Sequence, residues 1–416
     1  MSALVSHTLS SSHRAPGHEG SSASQAEALS SRVRAVVLGA IEEQRLVGAV
    51  VLVARHGAVL HRQAAGLADR EAHLAMTEDT AFRLASVSKP IVAAAAMALV
   101  SQGRLDLDAA VSQYLPDFQP RLPDGRVARI TLRHLLSHTA GLGYRFLEAD
   151  AQGPYARAGV SDGLDAVDFD LQENLRRLAS VPLLYEPGSS WCYSLSLDVV
   201  GAVIAQVQGV PLDVAVRALL TQPLGMAETG FSAEASRRVA TAYVNASPHP
   251  RRLGEGDIEP VFAGTVGIRY SPSRVWDGQA FASGGAGMVG TADDFLRLLE
   301  ALRQGGGGLI APHWVDEMGR DQVKGIDLPS APGFGFGLGF SVLRDPAQAQ
   351  SPESPGTWRW GGAYGHAWFV DRAQGWSVVA FTNTLYEGMS GRFVTDLRDA
   401  VYGALPSASL EGAGHA

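Results

Sequence analysis

The stretch GAVVLVAR (48–55) is apolar almost without a break, and AVLHRQAAG (58–66) continues the β-rich character beyond His56-Gly57. Two such runs around a two-residue turn ending in glycine predict a β-hairpin. Before it, AEALSSRVRAVVLGAIEEQRL (26–46) repeats its apolar residues with the 3.6-residue rhythm of an amphipathic helix. Near the other end, TWRWGGAYGHAWFVDRAQGWSVVAFTNT (357–384) predicts two or three strands with turns at glycines, and GRFVTDLRDAVYGAL (391–405) predicts a closing helix. A lone hairpin is marginal in water, so the strands at the two ends of the chain are expected to join in one antiparallel sheet. The two terminal helices are expected to cover one face of it.

The middle follows another pattern. From about 96 to 200 the periodicity is helical with many loops, as in ITLRHLLSHTAGLG and LQENLRRLASVPLL. The expected organisation is α+β: a discontinuous α/β sheet domain from 31–95 and 200–405, and an inserted helical region at 96–199 with a cleft between them. Residues 1–30, rich in Ser, Ala, Gly and His, are read as a disordered leader without a signal-peptide core, and 406–416 as a tail.

Composition narrows the partners. A net charge of −8 with no long basic run argues against nucleic acid and acidic membrane surfaces. No apolar run reaches spanning length without charges or glycines. The single cysteine, Cys192, rules out an internal disulfide and a multi-cysteine zinc site. A cytoplasmic protein needing neither metal nor cofactor is the expectation.

One stretch does not fit an ordinary core helix. FRLASVSKPIVAAAAMAL (82–99) opens an almost wholly apolar helix with two serines, a lysine and a proline. Of the 34 Lys and Arg residues only Lys89 and Lys324 are lysine. Ser88 is read as the helix cap, with Pro90 in the first turn and Gly103 at the stop. Ser86 then sits at the helix start, with Lys89 three residues on along the same face. A serine hydroxyl needs a base before it can attack a carbonyl. A buried lysine can give up a proton and arginine cannot, so this position favours the rarer cation.

Ser-x-x-Lys alone is common by chance and needs company. WCYSLSLDVVGAVIAQ (191–206) offers Tyr193 just before a helix, as a phenol able to exchange protons with a serine. RWGGAYGHAWFVD (359–371) offers a strand whose glycines allow close approach to its backbone and whose N–H groups can serve an oxyanion.

Taken in order, Ser86-Val87-Ser88-Lys89, Tyr193-Ser194-Leu195 and Trp360-Gly361-Gly362 resemble the three motifs of the serine β-lactamase and penicillin-binding-protein superfamily. Within it the chain is most similar to the family VIII carboxylesterases, whose fold is that of class C β-lactamases. The similarity runs from about 30 to 405 and includes AFRLASVSKP, HLLSHTAGLGY, SGGAGMVGTADD and WGGAYGHAWFVD. It implies Ser86 as the acylated nucleophile, Lys89 and Tyr193 as the proton-transfer pair, and the N–H groups of Ser86 and Ala363 as the oxyanion hole. Trp360 stands where the lactamases carry the lysine of Lys-Thr-Gly, and Leu195 where they carry an asparagine. Both departures point to neutral, short-chain carboxylic esters. Tyr144 and Trp368 are expected, with Trp360, Gly361, Gly362 and Leu195, to line the substrate pocket. Rival readings keep the same site: an acyltransferase, an amidase or D-aminopeptidase, and, less favoured, a penicillin-binding sensor or weak β-lactamase.

Other signals carry less. GAGMVG (285–290) matches a dinucleotide fingerprint but lacks the preceding buried parallel strand. His134, His138 and His366 are read as structural, and no Gly-x-Ser-x-Gly elbow is present.

Overall fold

In the computed structural model, which describes residues 18–234, 237–329 and 331–403, the ends of the chain meet in one sheet. Helix α1 (His18–Glu42) leads into strands β1 (Gly48–Arg55), β2 (Ala58–Asp69) and β3 (Leu74–Ala75). The β1–β2 turn is His56-Gly57, with φ of +48° and +90°. Successive residues with positive φ match the twist of the flanking strands, as in two-residue hairpins. Strand β1 pairs antiparallel with Trp376–Thr382, which pairs in turn with His366–Asp371 and then Trp358–Gly362. Ser341–Leu343 and Phe334–Phe336 complete the eight strands.

The first helix begins earlier than its apolar rhythm indicates. Residues 18–30, assigned by composition to a disordered leader, are part of α1, while residues 1–17 and the tail at 406–416 lie outside the described residues. Serines and glycines lower helix propensity, but here the helix is continuous with an apolar face buried through Leu29, Val33 and Val37.

Both faces of the sheet are covered. In β1, Ala49, Val51 and Val53 point to one face, where they meet Val33 and Val37 of α1 and Phe393 and Leu397 of the closing helix Arg392–Tyr402. Val50 and Leu52 point to the other, into the large core that contains Phe295 and Leu299 of the helix Ala292–Arg303. That is why GAVVLVAR shows no polar alternation: a strand buried on both sides reads as a continuous apolar run.

Between the sheet strands the chain at 102–195 holds only short helices, including Leu132–Leu136, Pro154–Arg157 and Leu171–Ser180. Helix α2 (Ser88–Ser101) runs through the large core with every residue from Ser88 to Val100 buried. An apolar surface all the way round is what a helix needs in that place. Its apolar run explains why it packs so deeply, and makes Lys89 within it the exception.

Candidate active site

The start of α2 is built differently from the expected cap. Residues Ala85–Val87 form a 3₁₀ turn that leads directly into the helix, and Val87, not Ser88, is the N-cap position. The Ser88 hydroxyl is turned into the core, where it accepts the N–H of Met288 at 3.1 Å. A serine at the first helical residue that ties two distant segments together cannot also cap the turn. Ala85, immediately before Ser86, has φ of +45°. For a residue with a Cβ such a conformation costs about 1–3 kcal/mol and tends to occur where function fixes the backbone.

Three side chains remote in sequence meet at this turn. The Tyr193 hydroxyl and Ser86 Oγ form a hydrogen bond of 2.5 Å. Lys89 Nζ donates to Ser86 Oγ at 3.2 Å and to the carbonyl of Gly285 at 2.8 Å. The ammonium also lies 4.6 Å from the centre of the Tyr193 ring and 5.4 Å from that of Tyr144. Lys89 is fully buried, whereas Ser86 and Tyr193 remain partly exposed. A substrate can therefore reach the hydroxyl pair, with the cation behind it shielded from water.

The strand Trp358–Gly362 ends beside the same turn. Its two glycines each stand where a Cβ would meet protein. A Cβ on Gly362 would come within 2.4 Å of the Leu84 carbonyl oxygen, and one on Gly361 within 2.8 Å of Met389. The close approach that demands glycine is thus between strand and 3₁₀ turn. Gly362, next to Ala363 in the chain, thereby lies against Leu84 and Val87 at the turn that leads into α2.

The expected pocket residues divide. The partly exposed Trp360 ring lies 5.3 Å from the Tyr193 ring and 5.2 Å from Phe336, forming an apolar wall beside the hydroxyl pair. Tyr144 is almost fully buried and packs 5.1 Å from the Tyr193 ring, behind the site. Burial, with the charges of Tyr193 and Asp198 adding to it, keeps its phenol well above the ordinary range and therefore neutral. Leu195 and Trp368 do not line a pocket. Leu195 is wholly buried, and its N–H bonds to the Gly143 carbonyl. Trp368 is 2% exposed and packs against Phe295 and Phe340 in the core under the sheet. Their places in the motifs gave the right neighbourhood but the wrong face.

The histidines are structural in their contacts. His366 is bonded through Nε2 to the Arg83 carbonyl at 2.8 Å, and burial lowers its pKa to about 4. His134 completes a capping box with Thr131. His138 lies buried under the Tyr193 ring at 4.9 Å, with Nδ1 on Ser194 Oγ at 3.0 Å. Burial, and then the Lys89 charge, holds it neutral. Two further participants had no clear sequence signal. The segment at 285–290, whose glycines suggested a nucleotide motif, supplies the carbonyl that receives Lys89. Asp198, five residues after Tyr193, is completely buried beside it.

Comparison with known proteins shows the family of the chain. The Beta-lactamase family model matches residues 33–402. The chain belongs to that family. Esterase EstB from Burkholderia gladioli is 53% identical over 379 residues, covering 91% of this chain and 96% of the relative. The solved structure of EstCE1, described as a hydrolase with promiscuous acyltransferase activity, superposes with a TM-score of 0.88 at 46% identity, covering 91% of this chain and all of the other. Monacolin J acid methylbutanoyltransferase from Aspergillus terreus is 26% identical over 73% of this chain and 76% of its own length. The α+β, β-lactamase-like fold is therefore shared over most of the chain.

Proposed function

We propose that the protein is a cofactor-independent serine esterase that hydrolyses short-chain neutral carboxylic esters through an acyl-enzyme. The observation that carries this reading is the contact of Ser86 Oγ with the Tyr193 hydroxyl at 2.5 Å and with Lys89 Nζ at 3.2 Å. In the proposed reaction Tyr193 takes the proton of Ser86 as the hydroxyl attacks the ester carbonyl. Lys89, held against the Tyr193 ring, stabilises negative charge on that pair. The N–H groups of Ser86 and Ala363 receive the developing oxyanion. The proton then passes to the departing alcohol, leaving Ser86 acylated, and water activated by the same pair releases the acid.

The preference for neutral esters follows from the walls. Trp360 presents its partly exposed aromatic face beside Tyr193, backed by the buried Phe336 ring. Such a surface holds apolar acyl or alcohol groups and offers no cation to a substrate carboxylate. The esterase named among the relatives supports this reading.

Steady release of p-nitrophenol from p-nitrophenyl acetate and butyrate is the expected result. Brief mixing followed by mass analysis of proteolytic fragments should show the acyl group on the Ser86 fragment. A single burst of one equivalent without turnover would instead indicate a scaffold or sensor. A second reading, transfer of the acyl group to an alcohol, is favoured by the relatives described as transferring acyl groups. Ester product in excess of free acid when an alcohol is added would select it.

A further inference from the structure

The mechanism proposed above uses Ser86, Lys89 and Tyr193 and leaves a fully buried acid beside them without a task. Asp198 lies in the first turn of the helix Ser196–Gln208 and has no solvent exposure. No donor meets either of its carboxylate oxygens at full hydrogen-bond geometry, although the Ser283 hydroxyl and the Gly285 N–H stand close by. Buried acids are ordinarily paired or well bonded, so one this weakly bonded calls for a physical reason.

Gly285 connects this acid to the site. The Gly285 carbonyl accepts the Lys89 ammonium at 2.8 Å. On the other side of the same residue, a Cβ would come within 2.6 Å of Asp198 Oδ2 and 3.2 Å of the Tyr144 hydroxyl. Only a glycine leaves room for the carboxylate there. Lys89 faces Ser86, the rings of Tyr193 and Tyr144, and, through its charge, His138. Tyr144 and His138 are held neutral by burial. Asp198 faces Lys89, Tyr144 and, farther off, Arg274. Burial pushes the Asp198 carboxyl up, while the Ser283 hydroxyl, the Lys89 charge, the Gly285 N–H and the Arg274 charge pull it back toward the ionised form. A buried ammonium with only neutral acceptors in contact needs a compensating charge nearby.

We propose that Asp198 is a positioning residue that balances the Lys89 ammonium across the Gly285 backbone and holds it on Ser86 and Tyr193. This rests on the reading of Ser86, Lys89 and Tyr193 as the reacting set. The balance is separated by one residue instead of being a direct ion pair, so the ammonium keeps its bonds to the serine. A carboxylate touching the lysine would draw it away from Ser86.

The small number of lysines makes the test direct. With carbon-13 and nitrogen-15 lysine, the protein has two side-chain signals, from Lys89 and the exposed Lys324, and Lys324→Arg assigns them. In Asp198→Asn the Lys89 signal is expected to lose its ammonium position at a pH lower by about one unit or more, a tenfold change in proton affinity. The basic limb of kcat/KM for p-nitrophenyl acetate is expected to move with it, with kcat changing more than KM. An unmoved Lys89 titration overturns the proposal. The melting temperatures of Asp198→Asn, Lys89→Met and the double variant give a second reading that holds even where a single variant folds poorly. Losses well short of additive are expected, because the double variant leaves no lone charge; additive losses overturn the proposal. The titration and melting readouts do not depend on turnover. Failure of the esterase reading would leave them intact, and their failure would leave that reading intact.

Discussion

Both faces of the sheet are buried, and they differ in what they bury. On the face covered by the terminal helices, Val33, Val37, Val51, Val53, Val378, Phe393 and Leu397 form an apolar layer, and the buried Asp371 at its edge is satisfied by the Tyr402 hydroxyl at 2.7 Å and the Ser354 N–H at 3.0 Å. On the other face, the core that contains α2 also encloses Lys89, His138 and Asp198 without exposure, and places Ala85 in a left-handed backbone conformation. Apolar burial stabilises at about 25 cal/mol per Å², whereas ionisable groups in the same setting cost stability unless balanced. The first face can therefore be read as stabilising the fold that the second puts at risk. Groups with unsatisfied bonds are tolerable beside Ser86 because the opposite face carries no such burden.

Substitutions sharpen this contrast, and the largest effect is expected at the hydroxyl. Ser86→Ala should lower kcat/KM for p-nitrophenyl butyrate by about 10⁴-fold or more while melting near wild type. Residual turnover within tenfold of wild type would remove Ser86 from the chemistry. Lys89→Arg keeps a positive charge and loses the removable proton. It is expected to reduce kcat by about 10²–10⁴-fold, and an active variant would show that charge alone suffices.

On the opposite face, Phe393→Ala should cost about 3–5 kcal/mol of stability in chemical denaturation. Its kcat per folded molecule should stay unchanged, and a matching loss of kcat would show that the two faces are not separable. Acid should weaken the site face through His366. Its folded pKa of about 4 lies below the ordinary 6.5, so the unfolded chain takes up the proton first as pH falls. Stability should decline from about pH 6.5 and level off near 4, by about 3 kcal/mol in all. Melting of wild type and His366→Gln across that window checks it, since the variant should lose less. The smallest effect is expected from Leu195→Met, which conserves volume. It should cost less than about 1.5 kcal/mol and leave KM unaltered, whereas a changed KM would return Leu195 to the substrate pocket.

The contrast also separates what was legible in the chain from what was not. The hairpin at 48–66, the closing strands and the last helix followed from apolar periodicity and the His56-Gly57 turn, because those depend on neighbours within a few residues. The α1 start at His18 did not, since weak helix formers are recruited when the adjoining segment is already docked. The arginine-rich composition singled out Lys89, and the three motifs brought Ser86, Tyr193 and Trp360 into one region. Orientation was another matter. Leu195 and Trp368 sit within motifs yet face the core, because which side of a helix start or strand is open depends on what packs against it.

By itself the sequence determined the elements, their antiparallel closure and the residue types able to carry acyl transfer. These rest on local period, turn chemistry and the difference between a lysine and an arginine. Only the tertiary structure decided that Ser88 ties to Met288, that the glycines at 361 and 362 make room for protein, and that Asp198 and Gly285 stand behind Lys89. Gly285 lies 196 residues from Lys89 along the chain. No local pattern encodes a contact at that separation, and only the packing of α2 against the helix after Tyr193 brings the charges together.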